Sequence, residues 1–265
     1  MRIYIMTDME GASGIRRGDK GFCSAGGAEY PRGRKLLTGD VNAAVEGALA
    51  GGATQVVVND AHGGGNHVLV EELHPRAVLE SPVSGRAGQY LPSLSRRFDA
   101  VFIVGAHAMA GTKRAFLDHT QSGTSWYNYF LNGKKYGEIG QFAVITGHYG
   151  VPVVLVTGDL AATREARALL GKSIETVAVK EALSRYVARS IHPPEAHAMI
   201  KEAAQRAMAK AGKVKPLKIK CPIKVKLELQ RTDQADGYDG RPGIRRLDAR
   251  TIACTVPTQA DILNF

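Results

Sequence analysis

The strongest constraint on the fold is a series of short apolar runs separated by segments of helical pattern. Runs of strand length occupy residues 3–8, 55–60, 99–107 and 151–159. The last two, DAVFIVGAH and VPVVLVTGD, are apolar almost throughout, as expected for strands buried on both faces of a sheet. Strands that alternate with helices predict right-handed crossovers and a mostly parallel sheet covered by helices.

The segment between the first two runs, TGDVNAAVEGALAGGA, has apolar residues at helical spacing. We expect this helix to be capped by Thr38 or Asp40 and to stop at Gly51 and Gly52. A short strand is expected at residues 77–80.

Beyond residue 162 the pattern changes. TREARALLG and PPEAHAMIKEAAQRAMAKAG predict two helices, and GIRRLDARTIACTV predicts a last turn and strand. The sequence therefore predicts an α/β fold in two parts: an α/β domain over residues 1–161, and a smaller C-terminal α+β region over residues 162–265 packed against it.

The formal net charge of +10 raises the question of an anionic partner. Much of this charge lies in KAGKVKPLKIKCPIKVKLELQ, where lysines alternate with apolar residues from Leu217 to Leu229. The alternation favours a long strand with a solvated lysine face. No reader motif or interleaved aromatic residue accompanies the lysines, so we expect no nucleic-acid partner.

The cysteines and the apolar stretches indicate the cellular compartment of the protein. Cys23, Cys221 and Cys254 show no CxxC spacing, which argues against a disulfide framework or a cysteine zinc site. The sequence opens without an apolar signal region, and no apolar stretch is long enough to span a bilayer. A cytoplasmic protein without a membrane partner is expected.

Residues able to bind a metal follow three of the apolar runs. They are Asp8 and Glu10 in TDMEGASG, Asp60 and His62 in VVVNDAHG, and His107 after FIVGA. Each alone is more often a cap or a loop residue than a ligand, but the carboxyl ends of parallel strands share one edge of a sheet. Carboxylates and imidazoles together suit zinc, and a shared carboxylate can bridge two ions roughly 3.5–4 Å apart. The sequence predicts a divalent-cation site at this edge.

The polar segment FLDHTQSGTSWYNYFLNGKKYGEIGQ, residues 116–141, contains His119 and Glu138. We expect a loop-and-turn arm over the crevice, with a reversal at Asn132 and Gly133 and a helix from Glu138 onward. The pattern leaves open whether either residue belongs to the site or to the surface.

These stretches, together with YPRGRKLLTGDVNAAVEGA, FIVGAHAMAGT and NGKKYGEIGQFAVITGHYGVPVVLVTGD, resemble the zinc-dependent D-aminopeptidase family of self-compartmentalising enzymes. The resemblance runs in order over roughly residues 3–186 and continues more weakly in PGIRRLDARTI. It implies two Zn²⁺ per subunit and the following site: Asp8 bridging both ions, Glu10 and His107 on one ion, His62 and Glu138 on the other, and His119 as the catalytic residue.

The activity implied by the resemblance is hydrolysis of the N-terminal peptide bond of short peptides, with release of D-amino acids. The family also implies a homo-oligomer, a decamer of stacked rings. Two alternatives stay open: the same chemistry on L-peptides or another small amide, and a noncatalytic binding or assembly protein that holds a structural metal.

Overall fold

The computed structural model describes residues 1–18, 21–82 and 90–265. In this part of the chain the strands are β1 Arg2–Thr7, β2 Gln55–Asn59, β3 Ala77–Glu80, β4 Ala100–Ala106, β5 Trp126–Leu131, β6 Lys134–Lys135, β7 Val153–Asp159, β8 Glu175–Ser184, β9 Val187–Ser190, β10 Ile223–Leu229, β11 Arg245–Arg246 and β12 Thr251–Val256. The helices are α1 Tyr30–Ala50, α2 Glu138–His148, α3 Leu160–Leu170, α4 Pro193–Met208 and α5 Thr232–Asp236.

The larger sheet has the strand order β3-β2-β1-β4-β7-β8-β9 in the described part of the chain. Neighbouring strands run parallel from β3 to β8, and β9 is antiparallel to β8. Every residue of β4 and β7 is buried, as the unbroken apolar runs predicted. The expected mostly parallel α/β fold is confirmed.

A second, antiparallel sheet has the order β11-β12-β10-β5-β6 in the described residues. Its strand β5 corrects the expectation of a loop-and-turn arm, because residues 126–131 pair with β10 and bury Tyr129 and Leu131. The reversal at Asn132 and Gly133 is confirmed, since both adopt positive φ between β5 and β6.

The first helix is longer than expected. α1 begins at Tyr30 with a proline in its first turn, so neither Thr38 nor Asp40 caps it. Asp40 instead lies inside the helix, where its carboxylate accepts hydrogen bonds from the backbone N–H and hydroxyl of Ser13 at 2.7 and 2.6 Å. The expected stop at Gly51 is confirmed.

The lysine-rich strand is shorter than its alternating pattern suggested. β10 begins at Ile223 rather than near Leu217, directly after Pro222, which has no N–H to donate to a neighbouring strand. Within β10 the apolar residues are buried and Lys224 is exposed, as the alternation predicted. No helix in the described residues is long and apolar enough to cross a membrane.

Both sheets take strands from either side of the expected division between residues 1–161 and 162–265. The larger sheet continues into β8 and β9, and the second sheet combines β5 and β6 with β10–β12. The two predicted parts therefore share both sheets. The division at residue 161 itself stays a prediction.

Candidate metal centre

The strand order explains why the candidate ligands meet. β1 lies between β2 and β4, and all three run parallel, so the loops that follow them leave the same edge of the sheet. Asp8 and Glu10 follow β1, His62 follows β2, and His107 follows β4. The predicted convergence of these four residues is what the structure shows.

Asp8 lies between two imidazoles. Its Oδ1 is 2.9 Å from Nδ1 of His62, and its Oδ2 is 3.2 Å from Nε2 of His107. The two oxygens of one carboxylate thus face different rings, which is the arrangement a bridging ligand requires.

Two further carboxylates flank this pair. Oε2 of Glu10 is 3.1 Å from Nδ1 of His62, and Oε1 of Glu138 is 3.2 Å from Nε2 of His107. Glu138 arrives from a different element, as the first residue of α2. Ligand atoms of Asp8, Glu10 and His107 also lie within 4.8 Å of one another, so the assignment of ligands to individual ions stays a prediction.

Backbone carbonyls orient both imidazoles. Nε2 of His62 lies 3.0 Å from the carbonyl of Cys23, and Nδ1 of His107 lies 3.0 Å from the carbonyl of Ala108. A carbonyl only accepts hydrogen bonds, so each of these nitrogens carries a proton, and the other nitrogen of each ring faces the carboxylates. When a metal ion replaces the proton on that second nitrogen, the ring is already oriented as in histidines that bind metal.

The donor set fits a cation. Nε2 of His107 and Oε2 of Glu10 are buried, in residues only 2% and 6% exposed, and form no well-aligned hydrogen bond despite the facing groups at 3.1–3.2 Å. Buried polar atoms are normally paired, because an unpaired one costs about 1–3 kcal/mol. Mixed nitrogen and carboxylate oxygen ligands suit zinc, so the described residues fit a zinc centre.

The electrostatics of the cluster lead to the same conclusion. Burial and the nearby Glu10 raise the pKa of Asp8 to about 7. Burial acts to lower the pKa values of His62 and His107, but the facing carboxylates raise both well above the usual range. A metal ion would replace these protons, so metal binding at the cluster should release protons and weaken at low pH.

The backbone approaches closely beneath Asp8. The N–H of Asp8 donates to the carbonyl of Val104 at 2.8 Å, and that of Gly11 donates to the carbonyl of Gly105 at 2.7 Å. Gly105 has a φ of +80°, and a Cβ at this position would lie 1.9 Å from the carbonyl oxygen of Asp8. A side chain there would push the loop that carries Asp8 away from β4.

His119 lies beside the cluster and faces open space. Its ring stacks on that of His107, its Nδ1 is 2.8 Å from the carbonyl of Leu117, and its Nε2 is 3.7 Å from Oε1 of Glu138. Burial and His107 lower the pKa of His119. The imidazole of His119 therefore stays neutral at pH 7, and His119 helps to line two cavities of about 500 and 300 Å³.

The sequence profile of peptidase family M55, described as D-aminopeptidase, matches residues 1–265. The chain belongs to this family. A D-aminopeptidase of Bacillus subtilis (strain 168) is 32% identical over 262 residues, which make up 98% of this chain and 92% of the relative. Among solved structures, the Zn-dependent D-aminopeptidase DppA from Bacillus subtilis, a self-compartmentalizing protease, matches with a TM-score of 0.93 at 30% identity and covers 99% of this chain and 94% of that chain.

In this member of the D-aminopeptidase family, Asp60 does not join the cluster that its sequence position suggested. Its Oδ2 accepts hydrogen bonds from the backbone N–H groups of His67 and Val68 at 2.5 and 2.8 Å. Asp60 therefore folds the loop that carries His62 rather than facing the other ligands.

Sequence reasoning missed Lys180, a residue of β8 that is 3% exposed. Its Nζ donates to the carbonyls of Glu10 and Ile15 at 2.7 and 2.6 Å, and burial lowers its pKa to about 8. Lys180 thereby fixes both ends of the loop that begins at Glu10. The segment AVKEAL carries no signal that would separate this lysine from a solvated strand residue.

Proposed function

We propose that this chain is a dizinc aminopeptidase that hydrolyses the N-terminal peptide bond of short peptides and releases D-amino acids. The observation that carries the proposal is the position of Asp8 between the imidazoles of His62 and His107, next to cavities lined by His119. Membership of the D-aminopeptidase family supports the reaction, and the Zn-dependent relative supports the metal.

Each candidate residue has a role in this proposal. Asp8 would bridge the two ions, with Glu10 and His107 as ligands of one and His62 and Glu138 as ligands of the other. Zinc bound in this way supplies Lewis-acid activation of water and of the scissile carbonyl. The support for this set is the donor chemistry of the cluster, including the buried Nε2 of His107 with carboxylate oxygens of Asp8 and Glu138 at 3.2 Å.

The proton-transfer role falls to His119. Since Nδ1 is held by the carbonyl of Leu117, Nε2 is the atom free to accept a proton and later return it. A histidine with a lowered pKa stays neutral at pH 7 and is ready to act as a general base. The acquired proton would then pass from Nε2 to the amine of the departing peptide fragment.

The proposal includes a homo-oligomer, in particular a decamer, that works in the cytoplasm. The relative described as self-compartmentalizing supports assembly. Three free thiols, on Cys23, Cys221 and Cys254, suit a reducing compartment.

The test is release of alanine from D-alanyl and L-alanyl di- and tripeptides by protein prepared with zinc. We expect release from the D-peptides to stop with a chelator and to return when zinc is restored. Equal or faster release from the L-peptides would support hydrolase activity but overturn the proposed preference for D-amino acids. Full metal content without release from any peptide or small amide would favour the noncatalytic alternative.

A further inference from the structure

Two cavities meet beside His119. Both are lined by His119, Gly123 and Arg185. The smaller one, of about 300 Å³, also reaches Glu10 of the metal cluster, whereas the larger one, of about 500 Å³, extends away from it toward Trp126. Arg185 therefore lies where a substrate would pass from the reacting centre into the wider space.

Arg185 is held rigidly at this junction. Its Nη1 donates to both the carbonyl and the carboxylate of Asp118, and its own carbonyl accepts a hydrogen bond from the N–H of Leu117 at 2.8 Å. Its Nη2 lies 4.0 Å from the position that a Cβ would take on Gly123, so this edge of the guanidinium is turned toward the residue that lines both cavities. The side chain keeps 35% of its surface exposed.

The charges around the junction favour an anion. Arg185 and Arg250 line the larger cavity, where the carboxylate among the described lining residues is Asp118, and the smaller cavity reaches Glu10. Glu10 belongs to the metal cluster, and Asp118 is paired with Arg185. A carboxylate entering the larger cavity thus meets more positive than negative charge among the described lining residues. The Nη2 edge of Arg185, which is turned toward Gly123, can donate a charge-assisted hydrogen bond to it.

We propose that Arg185 binds the C-terminal carboxylate of a short peptide substrate, which makes this junction a carboxylate subsite. This inference rests on the proposed aminopeptidase function. Arg185 binds Asp118, the neighbour of His119 in the chain, and both Arg185 and His119 line the same two cavities. The carboxylate of a dipeptide lies one residue beyond the scissile bond, so a short peptide is the kind of substrate whose carboxylate would stay within these cavities.

The subsite would make short peptides with a free C-terminus the preferred substrates. A dipeptide, or a tripeptide folded into the larger cavity, can place its carboxylate at Arg185 while its N-terminal amide lies at the metal cluster. A peptide whose C-terminus is amidated has no charge to offer there and loses this contact.

The experiment compares D-alanyl-D-alanine with D-alanyl-D-alanine amide on wild type, Arg185→Gln, Arg185→Lys and the control Arg189→Gln. Initial rates are followed by chromatography of the first cleavage. Arg189 is the matched control because it is also near the β8–β9 turn but is 69% exposed and paired with Glu181.

For wild type we expect kcat/KM for the free acid to exceed that for the amide by about 10- to 100-fold, as one charge-assisted contact allows. Arg185→Gln should bring this ratio close to one, mainly by raising KM for the free acid, and Arg185→Lys should restore part of it. Arg189→Gln should keep the wild-type ratio.

A wild-type ratio near one would overturn the subsite. So would an equal loss on both substrates in Arg185→Gln, because that result would mean that Arg185 only positions the loop of His119. If wild type cleaves neither peptide, the aminopeptidase proposal fails. In that case, calorimetry measures the affinity of both peptides for wild type and Arg185→Gln and tests the carboxylate subsite independently of turnover. Unchanged affinity for the free acid in the variant would overturn the subsite.

Discussion

The imidazole rings of His107 and His119 stack with their centroids 3.8 Å apart and their planes inclined by 14°. Both Nε2 atoms face the same oxygen of Glu138, at 3.2 Å from His107 and 3.7 Å from His119. The stack holds the proposed proton-transfer group one ring away from a proposed metal ligand. The two rings differ in their surroundings, because His107 is buried whereas His119 lines the cavities. This difference fits a metal ligand and a proton-transfer group, respectively.

Replacing His119 should therefore remove turnover without emptying the metal site. We expect His119→Ala to lower kcat by about 10²- to 10⁴-fold, the range usual for a general acid–base group. Zinc content should stay at the wild-type level because Asp8, Glu10, His62, His107 and Glu138 are all retained. Steady-state kinetics and elemental analysis of the same preparation measure the two quantities.

The matched control for this change is His148→Ala, which removes an imidazole at the end of α2. It should leave both kcat and zinc content unchanged. A His119→Ala protein with wild-type kcat would contradict the proposed role of His119.

Gly105 should not tolerate a side chain, both because its φ is positive and because an added Cβ would have no room. Gly105 and Gly240 have φ values of +80° and +76°, so alanine is strained at either position. At Gly240 there is nothing within 4 Å of the added Cβ, whereas at Gly105 it would overlap the carbonyl oxygen of Asp8.

We expect Gly240→Ala to lower the free energy of unfolding by about 1–2 kcal/mol, the cost of the left-handed backbone alone. Gly105→Ala should lower it by about 3 kcal/mol or more and should reduce zinc binding. Urea unfolding and elemental analysis of both variants provide the comparison. Similar losses in the two variants would show that the contact with Asp8 does not matter.

Stability should depend on pH through Glu165, a residue of α3. Its Oε2 accepts a hydrogen bond from the N–H of Met109 at 2.8 Å, its Oε1 is buried without a partner, and burial raises its pKa from 4.5 to about 7. Between these two pH values the unfolded chain has released the proton while the folded chain still holds it. Folding is therefore progressively penalised as the pH rises through this window.

Glu165→Gln removes that penalty, so the variant should be more stable than wild type at pH 8 and gain little at pH 4.5. Glu175→Gln is the control of opposite sign. Partial burial acts to raise the pKa of Glu175, but its contacts with Lys210 and Arg206 lower it. Glu175→Gln should therefore lose stability at pH 8 and keep most of that loss at pH 4.5, because the contribution of a carboxyl with a lowered pKa fades only as the pH falls below its usual value of 4.5.

Urea unfolding of chelator-treated protein at pH 4.5 and pH 8 measures the free energy of unfolding of each variant relative to wild type. The chelator removes any contribution from metal binding. A constant offset between Glu165→Gln and wild type at pH 4.5 and pH 8 would contradict the buried-carboxyl explanation.

The sequence predicted the four residues of the cluster that sit directly after parallel strands. Asp8, Glu10, His62 and His107 each follow an apolar run, and adjacent parallel strands bring such positions together without further information. The same rule misplaced Asp60, because a strand-end carboxylate can equally bind the backbone of its own loop.

Glu138 and His119 could not be placed by that rule. They come from the start of α2 and from a polar loop, and their approach depends on packing between distant parts of the chain, so only the family resemblance singled them out. The strand at residues 126–131 could not be predicted for a similar reason. It forms by pairing with a distant part of the chain, as Leu131 does with Val225. The apolar spacing predicted a start of α1 at Thr38 or Asp40, whereas the helix begins at Tyr30 with a proline in its first turn, a residue that favours helix starts.

The proposed dizinc centre is tested most directly by the zinc content of untagged wild type and of Asp8→Ala, measured by elemental analysis after zinc is added and the excess is removed. Asp233→Ala, which changes an exposed aspartate paired with Arg231, is the control. A dizinc centre bridged by Asp8 should hold about two zinc ions per chain in wild type and in the control, and far fewer in Asp8→Ala, since one carboxylate would serve both ions. Negligible zinc in wild type, or two zinc ions retained in Asp8→Ala, would contradict a dizinc centre bridged by Asp8.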